Sequence, residues 1–122
     1  MASIVIIDDD ASIREFVRRV LEVDGHQIRE AANGHLGLAL YREAPADLVI
    51  TDLLMPERDG IEVILTLAKE YVGVQFVAMT GAAGKGSLLD IATLLGAQQI
   101  VEKPFSSEEL RRVVQRALEG SR

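Results

Sequence analysis

Ile4-Val5-Ile6-Ile7-Asp8-Asp9-Asp10 opens the chain with four apolar residues that run straight into three carboxylates. Four consecutive apolar residues bounded by polar ones read as a strand buried on both faces. The same arrangement recurs downstream. Leu48-Val49-Ile50 is followed closely by Asp52, the run Val74 to Met79 by Thr80, and Gln99-Ile100-Val101 by Lys103. In an open parallel sheet all the strands finish at one edge, and ligands bind just beyond it. Asp8, Asp9, Asp52, Thr80 and Lys103 would therefore meet there, in the outline of a phosphoryl-transfer site.

Between these runs the apolar spacing changes to that of helices. Ile13, Phe16, Val17, Val20 and Leu21 follow i, i+3, i+4, i+7, i+8, and Leu110, Val113, Val114, Ala117 and Leu118 repeat the pattern. Leu36 to Glu43, Ile61 to Tyr71 and Leu88 to Leu95 read as three more helices. His26 to Ala31 is the most polar strand candidate and belongs at a sheet edge. Five strands alternating with five helices predict an α/β domain whose parallel sheet is covered on both faces. Asp10 or Ser12 can cap the first helix, Asn33-Gly34 opens the second, and Ser106 with Glu109 forms a capping box for the last. Asp24-Gly25, Asp59-Gly60 and Gly96 mark turns.

The bulk composition bounds the function. A chain of 122 residues fits one domain, taken as 1–122, with 48% hydrophobic and 26% charged residues. A formal net charge of -6 argues against direct binding of a nucleic-acid backbone, which is driven by Lys and Arg neutralising phosphates. With no Cys, disulfides and thiol chemistry are excluded. The N-terminus lacks the basic region and apolar length of a signal peptide, and no segment reaches the twenty or so apolar residues of a membrane span. These features predict a soluble cytoplasmic protein with no membrane partner.

Adjacent carboxylates joined by a third repel one another unless a cation sits among them. Mg²⁺ suits such a site, being a hard ion that takes carboxylates, water and phosphate oxygens. Taken alone, three Asp after a strand are more often a helix cap and a solvated turn than a metal site; counting Asp52 and Lys103 reverses that order.

Asp8-Asp9 after the first strand, Asp52-Leu53-Leu54-Met55-Pro56 running on to Asp59-Gly60, Met79-Thr80-Gly81 after the fourth and Lys103-Pro104-Phe105 after the fifth together resemble the receiver domain of two-component response regulators. The resemblance extends from Ile4 to about Ala117. It implies a doubly wound, flavodoxin-like sheet of strand order 2-1-3-4-5. It also implies that Asp52 accepts a phosphoryl group from a sensor histidine kinase or a histidine phosphotransfer protein. Asp8, Asp9, Asp52 and the backbone carbonyl of Leu54 would hold Mg²⁺ or Mn²⁺. Lys103 would counter the charge of the phosphoryl oxygens, aimed by a Lys-Pro bond that is usually cis in the family. Thr80 would donate its hydroxyl to the phosphoryl group and draw the following loop inward. Such a module is a regulator that assists its own phosphorylation and dephosphorylation rather than an enzyme. It switches a downstream protein through that loop and the face formed by the fourth helix, fifth strand and last helix. Met55-Pro56 and Asp59-Gly60 take support roles, with Gly60 easing the turn into the third helix.

The chain departs from the family at Ile100, where many receivers carry Tyr or Phe. An aliphatic there either fills core volume, leaves transmission to the loop and fourth helix, or marks a protein that mainly passes the phosphoryl group onward. Gly81 to Ser87 is rich in glycine, but the G-x-x-x-x-G-K-[ST] spacing of a phosphate-binding loop is not met. Leu89 and Leu94 fall outside the apolar stripe of their helix and suit a partner or homodimer contact. His26 and His35 read as surface residues. A metal-dependent phosphohydrolase using Asp52 is the competing reading; it would need a second acidic residue two positions on, where Leu54 stands.

Overall fold

The computed structural model describes residues 1–53, 55, 60–81 and 99–120. Within them lie β1 (Ser3–Ile7), α1 (Ala11–Val23), β2 (Gln27–Ala31), α2 (Gly34–Glu43), β3 (Leu48–Asp52), α3 (Gly60–Glu70), β4 (Phe76–Thr80), β5 (Gln99–Glu102) and a C-terminal helix α4 (Ser107–Glu119). All pairings are parallel, and the strand order is β2-β1-β3-β4-β5. The helix expected over 88–95 lies outside the described residues, as do Leu54, Pro56, Asp59, the glycine-rich stretch beyond Gly81, Leu89, Leu94 and Gly96.

Alternation along the strands divides the core in two. Ile4 and Ile6 of β1, Leu48 and Ile50 of β3, Val77 and Met79 of β4 and Val101 of β5 join Val17, Leu21, Leu110 and Val114 under α1 and α4. Their neighbours Val5, Ile7, Val49, Phe76 and Ala78 face the other way and join Leu38, Tyr41, Val63, Ile64 and Leu67 under α2 and α3. The central strands are thus buried on both faces, which is why they read as continuous apolar runs. β2 is the polar edge strand anticipated, and only Ala31 within it is fully buried. Its Arg29 closes the end of α2, donating from Nη1 to Leu40 O at 2.8 Å and from Nη2 to Ala44 O at 2.6 Å. Leu40 O also accepts from Ala44 N at 3.1 Å, whereas Ala44 O lies past the last helical residue and outside the ladder of the helix.

The helix ends follow their capping signals. Asp10, and not Ser12, caps α1, its Oδ1 accepting from Ser12 N at 2.9 Å and from Ile13 N at 3.4 Å. Asn33 caps α2 through Leu36 N, and Ser106 with Glu109 forms the full capping box of α4. Strand boundaries moved in one consistent way: Asp52 and Thr80 are the last residues of β3 and β4 rather than the first beyond them. The ladder continues past the apolar runs because their polar residues still pair, Asp52 with Met79 and Thr80 with Glu102.

Two further expectations change. Gly60 does not ease a turn through an unusual φ; the described glycines at positive φ are Gly25 and Gly73. Its hydrogen atom is needed because a Cβ would stand 1.8 Å from Asp52 O and 2.9 Å from Leu53 Cα. Helix α3 therefore starts directly against the end of β3, and Gly60 N donates to Leu53 O at 3.0 Å. His26 is half-buried rather than a free surface residue, and its Nδ1 accepts from Ala2 N at 3.0 Å. The Asp24-Gly25 turn, with Gly25 at φ 90°, brings it there.

Two measurements test these contacts. Alanine at position 60 gains about 1 kcal/mol of helix propensity. Overpacking costs about 1–3 kcal/mol, and at 1.8 Å from backbone it takes the upper part of that range. Gly60→Ala should therefore lower the melting temperature, and an equal or raised value would refute the close-approach role. Burial and the neighbouring N-terminal amine hold the His26 pKa below its ordinary 6.5, against the opposing charge of Asp24. A depressed folded-state pKa gives stability that is complete above 6.5 and lost as pH falls through the folded value. Urea unfolding of the native protein should weaken more steeply below pH 6.5 than that of His26→Gln; parallel curves would discount the depressed His26 pKa.

Candidate functional site

The strand order brings the chemistry together. β1 and β3 are neighbours, so Asp8, the first residue beyond β1, and Asp52, the last of β3, stand side by side at the carboxyl edge. Thr80 ends β4, the next strand, and Lys103 follows β5 beyond it, with Lys103 N donating to Thr80 O at 2.7 Å. All five residues singled out in the sequence lie at that edge.

Asp8 is fully buried, Asp52 is 7% and Thr80 2% exposed, while Asp9 reaches solvent. One ligand oxygen from each of Asp8, Asp9 and Asp52 can be chosen so that all lie within 4.8 Å of one another. Buried carboxylates at that spacing destabilise one another strongly without positive charge. Lys103 supplies it: Nζ lies 2.8 Å from Asp8 Oδ2 and 3.4 Å from Asp52 Oδ2. Burial pulls the Lys103 pKa down, but the hydrogen bond to Asp8 and the charge of Asp52 outweigh it, and the net displacement is upward. The ammonium stays charged and bridges the two carboxylates.

Three carboxylates still face a single ammonium. Apart from its contact with the Lys103 ammonium at 2.8 Å, buried Asp8 Oδ2 has no hydrogen-bond donor among the described residues. Such an oxygen, buried and short of donors, fits a hard divalent ion better than a neutral ligand. Asp8, Asp9 and Asp52 can thus hold a metal, and the Leu54 carbonyl lies outside the described residues.

The backbone around these groups is firmly held. Asp8 N donates to Ala31 O at 3.1 Å, and Asp10 N to Asp8 Oδ1 at 2.9 Å. Leu53 N donates to Met79 O at 3.0 Å, keeping β3 and β4 paired past Asp52. The Lys103-Pro104 bond is cis, as the motif implied. Phe105 behind it packs against Phe16 of α1 with ring centroids 6.0 Å apart, which pins the segment carrying Lys103. The Thr80 hydroxyl donates to Gly81 O at 3.1 Å. Ile100 is half-buried against the core under α2 and α3, where it fills volume.

Sequence reasoning missed Arg14, whose Nη1 donates to Asp8 O at 2.7 Å. Nothing in the spacing of α1 separates this residue from the other arginines of that helix; the contact needs β1 and α1 docked. A cavity of about 340 Å³ between α1 and α4 lies near the opposite sheet edge, with Asp24, His26 and Arg111 in its lining, away from the acidic cluster.

The chain matches the response regulator receiver domain over residues 4–115. It is 31% identical to chemotaxis protein CheY of Bacillus subtilis over 116 residues, covering 94% of this chain and 96% of that protein. It is 32% identical to sporulation initiation phosphotransferase F of the same organism, covering 94% of this chain and 92% of that one. Among solved structures, the receiver domain of NtrX from Brucella abortus superimposes with a TM-score of 0.90 at 30% identity, over 95% of this chain and 98% of that one. Six other curated relatives are longer, and the chain spans between 25% and 48% of their length. By family match, by near full-length relatives and by fold, the chain belongs to the receiver domains of two-component response regulators, which are phosphorylatable signalling modules.

Proposed function

We propose that Asp52 is the phosphoacceptor and that residues 1–122 act as one receiver domain, phosphorylated by a sensor histidine kinase or a histidine phosphotransfer protein. The observation that carries this reading is the pairing of nearly buried Asp52 with the Lys103 ammonium at 3.4 Å, inside a cluster completed by Asp8 and Asp9. An Asp52 carboxylate oxygen attacks phosphorus and forms the new O–P bond. The P–N bond to the donor histidine breaks, and its electron pair returns to the imidazole nitrogen, which is protonated from solvent. The product is an acyl phosphate on Asp52.

Phosphoryl transfer of this kind depends on position and charge more than on covalent assistance. The rigid end of β3 holds Asp52 in place, and Lys103 offers a fixed cation to the phosphoryl oxygens. Asp8, Asp9 and Asp52 would hold Mg²⁺, or Mn²⁺ in its stead, which when bound neutralises charge on the phosphoryl group and its acceptor. Thr80 would exchange its present bond to Gly81 O for one to the phosphoryl group, moving the loop that follows. The same groups would assist hydrolysis of the acyl phosphate, so the domain times its own signal and is not a turnover enzyme.

The switched surface in this reading is the loop after Thr80 with the face of β5, α4 and the preceding segment, presented to a downstream protein or a second copy. Net charge of -6 opposes direct nucleic-acid binding by this domain. No helix among the described residues is long and apolar enough to cross a membrane, and we place the domain in the cytoplasm by its family. The name of the similar sporulation phosphotransferase supports a relay role for this domain.

Incubation with Mg²⁺ and a small acyl-phosphate donor should add one phosphoryl group per chain by intact mass and none to Asp52→Asn. Modification persisting in the variant would assign the acceptor elsewhere, and repeated turnover of simple phosphomonoesters would favour the hydrolase reading. Removing the ammonium provides a second test. Lys103→Met leaves two buried carboxylates without their counter-charge, at a cost of about 1–3 kcal/mol in Mg²⁺-free buffer. The same change should tighten Mg²⁺ binding and enlarge the thermal stabilisation by the ion. Weaker Mg²⁺ binding in a folded Lys103→Met protein would contradict this arrangement of charges.

A further inference from the structure

Arg14 makes a contact that the phosphoryl-transfer reading does not use. From the first turns of α1 its guanidinium reaches in two directions, donating from Nη1 to Asp8 O at 2.7 Å and from Nε to Glu30 Oε1 at 3.2 Å. Both side chains are largely enclosed, at 18% and 23% exposure. Glu30, on edge strand β2, is engaged from its other oxygen by Arg18 Nη1. The Arg14 fork is therefore held in one orientation by a carboxylate that is itself held, and its remaining arm rests on the peptide joining Asp8 to Asp9.

That peptide sets the aim of the acidic loop. Asp8 N is tied to Ala31 O, and the Asp8 carboxylate is tied to Asp10 N. The carbonyl of Asp8 is the remaining polar group of its backbone, and Arg14 is its donor. A charge-assisted bond to a carbonyl is strong and directional. Asp9, exposed and carrying no capping duty, has no comparable restraint of its own among the described contacts; its direction follows from that peptide plane.

We propose that Arg14, braced by Glu30, is a positioning residue: it fixes the Asp8–Asp9 peptide so that the Asp9 carboxylate is presented to the same ion as Asp8 and Asp52. This rests on the metal reading above. It makes a prediction whose sign separates it from simple electrostatics. Arg14 is a cation close to a dication site, so by Coulomb's law alone its removal should strengthen Mg²⁺ binding. Loss of a group that orients metal ligands instead weakens binding, typically by about 10-fold or more.

Calorimetric titration of Mg²⁺ into the phosphate-free protein decides between them. Arg14→Ala should bind Mg²⁺ about 10-fold more weakly, while Arg19→Ala, the same charge change on the same helix away from the loop, should bind as the native protein does. Arg14→Lys should fall between, since an ammonium lacks the planar fork needed to serve Asp8 O and Glu30 together. Unchanged or tighter binding by folded Arg14→Ala would overturn the proposal while leaving the metal site intact. Equal weakening in Arg19→Ala would overturn it too, by showing that loss of any arginine from α1 weakens binding without a specific hold on the loop. If Arg14→Ala does not fold, Arg14→Lys decides by the same criterion. A native protein that binds no Mg²⁺ would sink the metal reading itself, and this proposal with it.

Discussion

Asp8 and Asp52 are buried side by side, and the rest of the architecture answers to that constraint. Their oxygens share a space of a few ångström with those of Asp9, where like charges cannot persist uncompensated. Lys103 provides the compensation from within the chain, at 2.8 and 3.4 Å from the two buried carboxylates. It comes from the last strand, while the carboxylates come from the first and third. The sheet must therefore be complete before the charges balance.

The same constraint explains where the backbone is tightest. β3 has no slack at Asp52: Met79 O takes the next amide, and Gly60 lies against the Asp52 carbonyl where no larger residue fits. On the other side, Asp8 is tied through Ala31, Asp10 and Arg14, so β2, the helix cap and α1 each hold one polar group of the loop. A site that works by position needs its supports on rigid elements. Thr80 differs, since its hydroxyl engages, among the described residues, the carbonyl of Gly81, a bond easily exchanged for a better acceptor. The rigid groups and the movable one are thus separated along a single sheet edge.

Much of this was legible beforehand because it follows from local pattern. The runs at Ile4 to Ile7 and Leu48 to Ile50 are apolar on both faces, and only a sheet covered on both sides satisfies them. Asp10, Asn33 and the Ser106/Glu109 pair signal helix starts through hydrogen bonds within four residues, so no tertiary information is needed. Gly60 was noticed for the wrong reason: glycine in a sequence suggests backbone freedom, whereas here it serves a contact with a strand eight residues back. His26 read as a surface residue because its partner, Ala2 N, is 24 positions away. Ile100, half-buried, packs against the core under α2 and α3.

What the sequence by itself determined is the alternation of strands and helices and the identity of the residues at each strand end. Those depend on periodicity and on side-chain chemistry, both written locally. The resemblance carried by those residues already implied that β1 lies between β2 and β3; only the tertiary structure decided that Lys103 reaches both Asp8 and Asp52 and that Arg14 and Glu30 meet at the loop. Each of those is a contact between residues far apart in the chain. Such contacts exist only once the packing of helices on the sheet has offset the entropy of bringing distant segments together.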